Sequence, residues 1–177
     1  MEQTALTQQE ETLAAALRDQ FGDGLTGQSK VADQLSIFVK ADIIFELAQF
    51  MKEDARAGFD LLSDICGVDW IKCPDMRFEL VYNFYKINAD LRVLIRTTIP
   101  DSDTPAIQSI QPVYPGADWL EREVYDMLGI VFDGHPDLRR IITPDGLDGW
   151  PHRKDFPLTY EAPQFSYNKD KPPEIIK

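Results

Sequence analysis

Residues 77–98 read RFELVYNFYKINADLRVLIRTT, and their rhythm decides the class of fold. Phe78, Leu80, Tyr82 and Phe84 alternate with more polar positions. Leu91, Val93 and Ile95 alternate with Arg92 and Arg96. A period of two belongs to a strand with one buried face. The link Asn88-Ala89-Asp90 is short enough to close a hairpin between strands over about 77–87 and 91–98. A sheet is therefore the frame of the protein.

Working upstream, 59–68 reads as another strand entered from Gly58, and 35–39 as a short buried one. Thr7-Gln8-Gln9-Glu10 has the form of a capping box. Leu13, Ala14, Leu17 and Phe21 come next at helical spacing, with Gly22 placed to end the helix. Asp42 is expected to cap a second helix whose apolar face is Ile43, Leu47, Phe50 and Met51. Downstream, Thr104 and Pro105 predict the start of a helix. Pro112 and Pro115 break the helical stretch there into two short helices, the second over about 117–128. The expected fold class is α+β, a small mixed β-sheet flanked by helices.

After Ile142 both periods vanish. Six prolines interrupt 144–177, yet Trp150, Phe156, Tyr160, Phe165 and Tyr167 are spread through the same stretch. A disordered tail is poor in aromatics. Prolines lower the entropy cost of ordering an extended chain, and aromatics supply anchors for pockets. The expected organisation is a domain over 1–142 followed by an extended, irregular C-terminal arm over 143–177 that docks on a partner. An arm folded back on its own domain is the competing reading.

Composition narrows the function classes. The 177 residues suit one domain, and 44% hydrophobic content is enough for a core. With 30 acidic and 18 basic residues the net charge is −12, which disfavours phosphate backbones and anionic lipid surfaces. No nucleic-acid partner is expected. Cys66 and Cys73 do not form a secreted disulfide framework, and reduced thiols are expected. No run approaches the ~18 apolar residues of a membrane span, and the acidic, polar start lacks the pattern of a signal peptide. The expectation is a soluble, cytoplasmic protein that meets a membrane only through a partner.

Three motifs carry possible chemistry. Gly22-Asp23-Gly24-Leu25-Thr26-Gly27 spells G-x-G-x-x-G, but a helix precedes it and a strand comes after, the reverse of a dinucleotide site. It reads as a helix-to-strand turn. The Cys and His inventory (Cys66, Cys73, His135, His152) has no paired-ligand spacing, so no metal is expected. Glu121, Glu123 and Asp126 crowd one short helix, and His135 sits in a Gly-His-Pro-Asp turn. These residues suit either a stand-alone acid–base enzyme built on Glu121, Glu123 or His135 or a charge network neutralised by Arg122, Arg139 and Arg140. The network is the preferred reading.

Residues 119–141, WLEREVYDMLGIVFDGHPDLRRI, and 149–158, GWPHRKDFPL, resemble the signature of the C-subunit family of proton-pumping NADH:quinone oxidoreductase, respiratory complex I. The pattern E-R-E-x-x-D-x-x-G-x-x-F-x-G-H-P-D-L-R-R-I is long and specific, and R-K-D-[FY]-P is a second match. His152 stands where the family usually has Leu. The resemblance implies a structural and assembly component of the hydrophilic arm that binds no cofactor. FMN, iron–sulfur clusters, NADH and quinone would then belong to other subunits. It implies packing against the D-like, quinone-site subunit and the iron–sulfur subunits, at the cytoplasmic face of the inner membrane. The complex as a whole passes electrons from NADH to quinone and translocates protons. The resemblance implies structural or interface roles for Glu121, Arg122, Glu123, Asp126, His135, Pro136, Asp137, Arg139, Arg140, Arg153, Lys154 and Asp155, and no catalytic role for any residue of this chain. The equivalent component of a membrane-bound hydrogenase, or of an F420H2- or ferredoxin-driven relative, shares the motif and is the alternative within the lineage.

Overall fold

The computed structural model describes residues 5–31 and 33–158. The hairpin of 77–98 is its centre: β4 (Phe78–Lys86) pairs antiparallel with β5 (Leu91–Ile99), and Asp90 closes the link at φ 48°. Around it stand β1 (Leu25–Val31), β2 (Gln34–Val39) and β3 (Leu61–Asp69), in the order β1-β2-β5-β4-β3. β2 runs parallel to β5 and the other pairs are antiparallel, so the sheet is mixed, as expected.

Register explains where the core lies. Leu35, Val93, Phe84 and Leu62 form one row across four strands; Ile37, Ile95, Tyr82 and Ile65 form the next. All eight are buried on one face, as the period of two requires. Three helices contribute to the same cluster: α1 (Gln8–Phe21) with Leu13 and Leu17, α2 (Ile44–Glu53) with Leu47 and Met51, and α3 (Ala117–Leu128) with Val124 and Leu128. At Gly67, a Cβ would stand 2.2 Å from Leu128 Cδ1. Glycine there lets α3 lie directly on β3.

The capping box of α1 forms in both directions. Glu10 is also paired with Lys30 at 2.8 Å, and both are buried. Burial pushes the Glu10 carboxyl up, but Lys30 and the Thr7 amide and hydroxyl outweigh it and leave it below the usual range.

Two local expectations are corrected. Asp42 does not cap α2: a 3-10 turn, Ala41–Ile43, leads into the helix and no side chain caps it. The chain after Thr104 is not helical. Ala106–Gln108 is a strand, β6, paired in parallel with β7, Val131–Asp133. Pro105 lends its carbonyl to Val131 N–H at 2.8 Å, and Ser109 N–H donates to Asp133 O at 2.8 Å. A proline after a threonine suits a strand entry as well as a helix cap, and the partner strand is more than twenty residues away, outside any local pattern. The second helix expected there is α3, Ala117–Leu128.

Candidate functional site

The signature acids lie on α3, and its pitch sends them in different directions. Glu121 and Asp126 are fully buried, while Glu123 faces solvent. The two buried carboxylates have contrasting surroundings. Asp126 Oδ2 accepts from the backbone amides of Ile141 at 2.9 Å, Ile142 at 2.6 Å and Thr143 at 2.9 Å; Oδ1 accepts from the Thr143 hydroxyl. Burial alone would raise its pKa. The Thr143 hydroxyl and the three amides outweigh that, and the group stays below the usual carboxylate range. Arg140 Nη1 is 3.9 Å away.

Among the described residues, Glu121 accepts two bonds, from Ser109 Oγ at 2.6 Å and Ile110 N–H at 2.8 Å. None of the three neighbouring arginines reaches it. Arg122 donates to Arg139 O at 3.2 Å and approaches Asp118 at 3.9 Å. Arg139 makes a two-point pair with Asp137, both bonds 2.6 Å, at the surface. Arg140 donates to Thr143 Oγ1 and to Gly149 O, each at 3.1 Å. Burial pushes the Glu121 carboxyl up to about 7; Ser109 and Ile110 pull it back in part, and the negative charge of Asp118 adds to the rise. The expected network neutralising all three acids is thus replaced by two separate sites, with Glu123 outside both.

His135 joins the Glu121 site. Its ring is fully enclosed, with Nε2 3.9 Å from Glu121 Oε2. The Asp137 N–H is 3.1 Å from Nδ1, so Nδ1 is the acceptor nitrogen. The proton of a neutral ring therefore sits on Nε2, which faces Asp118 O at 3.2 Å. Pro136, between the two bonded residues, is exposed.

The second signature element closes over the end of α3. The His152 N–H donates to Met127 O at 3.0 Å, while its side chain is exposed. Arg153 Nε donates to Leu128 O at 2.6 Å, and its guanidinium stacks over Phe78 at 5.0 Å. The Lys154 amide donates to Asp69 Oδ2 at 2.7 Å, and Asp155 pairs with Arg77 at 2.7 Å. Trp150 packs edge-on to Tyr125 at 5.2 Å and under Arg140 at 4.3 Å. Gly129 makes room for it: the residue has φ 73°, and a Cβ would meet the indole at 2.4 Å. Phe156 lies beside Gly149. Residues 143–158, the root of the expected arm, thus rest on the domain. The anchors Tyr160, Phe165 and Tyr167 fall outside the described residues.

Sequence reading missed the residues that receive this element. Arg77 holds three carboxylates, Asp69 at 3.2 Å, Asp101 at 3.0 Å and Asp155, and Ser109 supports Glu121. An arginine opening an otherwise apolar strand was the available signal. Cys66 and Cys73 are free. The Cys66 thiol is pushed up to about 11 by burial, by its bond to Asp64 and by nearby Glu123, which suppresses thiolate chemistry. Among the described residues no three His, Cys, Asp or Glu side chains gather to hold a metal ion.

These contacts define an α+β domain whose buried polar side chains on and beside α3 clamp a C-terminal run to the end of that helix. The chain belongs to the family of the respiratory-chain NADH dehydrogenase 30 kDa subunit, whose model matches residues 37–162. It is 44% identical over 147 residues to the C subunit of NADH-quinone oxidoreductase from Sinorhizobium medicae, covering 83% of this chain and 72% of that one. The protein of the same name from Bartonella bacilliformis is 45% identical over 149 residues, covering 83% and 70%. Among solved structures, the trypsin-resistant fragment (1–134) of Nqo5 matches with TM-score 0.60 and 30% identity over 72% of this chain and 99% of the fragment. A chain of an archaeal membrane-bound sulfane sulfur reductase matches with TM-score 0.73 and 27% identity over 86% and 88%.

Proposed function

We propose that this chain is the C subunit of an NADH:quinone oxidoreductase, a structural member of the hydrophilic arm with no catalytic residue of its own. The observation that carries this reading is how the signature uses its chemistry. Asp126, Glu121 and the His135 ring have no exposure to solvent, and their bonds go to Thr143, Ser109, Asp118, Asp137 and the backbone. An acid–base enzyme needs such groups open to substrate. The outward-facing residues of the same stretch, Trp119 (63% exposed), Ile142 (59% exposed), Glu123, Pro136 and Arg139, suit contact with another chain. Trp119 is steadied by Arg122 stacked at 4.8 Å, and rigid aromatics are favoured anchors.

The partner in this reading is the quinone-site subunit, with iron–sulfur subunits nearby, and the arm over 143–177 extends onto it from a root already fastened to the domain over 1–142. FMN, iron–sulfur clusters, NADH and quinone belong to the other subunits. Among the described residues no helix is long and apolar enough to cross a membrane. The chain is then peripheral, held at the cytoplasmic face of the inner membrane through the complex, whose electron transfer is coupled to proton translocation. The sulfane sulfur reductase likeness favours a second reading, the equivalent component of a related respiratory complex such as a membrane-bound hydrogenase. The 44% identity to the NADH-quinone relatives, against 27%, makes it the weaker one.

Affinity purification of the tagged full chain from native membranes, with partners identified by mass, tests the proposal. Co-purification with a quinone-site subunit and an NADH-binding flavin subunit is expected. A partner set without the flavin subunit points to the related complexes, and turnover by the isolated chain refutes the scaffold reading. A chain ending at Leu158 keeps every described contact and is expected to fold but to lose partner yield. Undiminished co-purification refutes docking by the segment beyond.

A further inference from the structure

Asp126 and Glu121 lie on one helix, both without solvent exposure, and the fold treats them oppositely. Asp126 has four donors and an arginine 3.9 Å away. Glu121 has two donors and, among the described residues, no guanidinium or ammonium within ion-pair distance. A buried carboxylate with so little compensation is disfavoured against the neutral acid.

The groups that face Glu121 come from every element around it. On α3 itself, Asp118 contributes a negative charge, and Arg122 turns away to Arg139 O. From β4 comes Tyr82, fully buried, whose hydroxyl has no hydrogen-bond partner among the described residues and whose ionisation is opposed first by burial and then by the charge of Glu121. Behind β6 stand Ser109 and the Ile110 amide. Behind β7 stands His135, the one basic group in reach among the described residues. The Asp137 N–H occupies its Nδ1 at 3.1 Å, and its Nε2 lies 3.2 Å from Asp118 O, 3.6 Å from Asp118 Oδ1 and 3.9 Å from Glu121 Oε2.

We propose that Glu121, buried with two donors and no guanidinium or ammonium beside it among the described residues, is a proton-binding site, and that the hold of the 109–110 and 133–137 turns on α3 depends on that proton. The site does not rest on the subunit assignment, because its elements all lie in this one chain. Its sign comes from linkage. A raised folded-state pKa contributes stability that is complete below the unfolded value and is lost as pH rises through the folded one. The turns are thus held most firmly under mildly acidic conditions and are progressively released toward pH 7.

The test is solution NMR on the full chain with carbon-13 in the glutamate carboxyls and nitrogen-15 in the histidines, titrated from about pH 5 to 8.5 around the ordinary carboxylate and imidazole ranges. The Glu121 resonance is expected to remain that of the neutral acid at pH 6 and to titrate near 7. A Glu121 carboxylate at pH 6 overturns the proposal. Exchange of the Ile110 and Asp137 amides, corrected for intrinsic rates, is expected to speed up by about tenfold per pH unit between about 5 and 7. In Glu121→Gln, a permanent mimic of the neutral acid, that dependence is expected to vanish while protection persists. Equal pH dependence in the variant refutes the coupling, and the wild-type carboxyl titration decides the protonation even if the variant fails to fold.

Discussion

Replacing Asp126 by Ala removes the acceptor that gathers residues 141–143 onto α3. Four donors converge on this one carboxylate: the amides of Ile141, Ile142 and Thr143 and the Thr143 hydroxyl. A bond to a charged acceptor contributes about 1.5–3 kcal/mol, so four taken separately would sum to ~6–12 kcal/mol. That sum is a ceiling that the variant does not reach. Once the run lifts, its amides are satisfied by water, and the loss saturates at whatever holds 138–158 to the domain. Disruption of a buried charge network of this kind costs ~3–5 kcal/mol, which is the expected destabilisation. The loss has a local signature as well, because the same run carries Trp150 onto Tyr125. Urea unfolding followed by tryptophan fluorescence measures the first; trypsin cleavage at Arg139, Arg140, Arg153 and Lys154 in native conditions measures the second. In the wild type, the stabilisation is present above the ordinary Asp pKa and lost as pH falls through the depressed folded value. A variant less stable by under about 0.5 kcal/mol, within the range of ordinary surface changes, and with unchanged trypsin cleavage would refute this account of the clamp.

Two further outcomes test the packing around the clamp and the far end of the domain. Gly129→Ala places a side chain at φ 73° and 2.4 Å from the Trp150 ring; a loss of ~2–4 kcal/mol, from left-handed strain and displacement of the indole, is expected in urea unfolding, with a red-shifted Trp150 emission. Lys30→Met strands the buried Glu10 carboxylate, 2.8 Å from the lost ammonium, and is expected to cost ~3–5 kcal/mol by thermal unfolding, whereas adding Glu10→Gln recovers most of the loss because no charge is left buried.

The frame of the fold was legible because it is written in local periods. Phe78 to Phe84 and Val93 to Ile95 alternate, Thr7 to Glu10 caps, and Ala117 to Leu128 repeats at helical spacing, so the hairpin, α1 and α3 could be placed from neighbours alone. Two strands were missed, β1, whose polar run Leu25–Val31 shows no buried alternation although it pairs with the adjacent β2, and β6, which is stabilised from a distance. β6 exists because Val131–Asp133 lies beside it, and no pattern within Ala106–Gln108 announces a partner so far along the chain. The family signature likewise picked out the important side chains and left their partners open. Arg139, which seemed placed to neutralise an acid of α3, turns to Asp137 two residues away. Arg77, outside the signature, holds the end of the second element.

The sequence by itself determined the α+β class, the sheet's buried face and the run from Trp119 to Leu158 as the part that matters, since alternation, capping and motif identity are properties of neighbours in the chain. Only the tertiary structure decided what that run does with its charges. Burial and donor count, not residue type, separate Asp126, which four donors keep ionised, from Glu121, whose two donors leave the neutral acid favoured. Both are set by the sheet, turns and C-terminal run that close around α3.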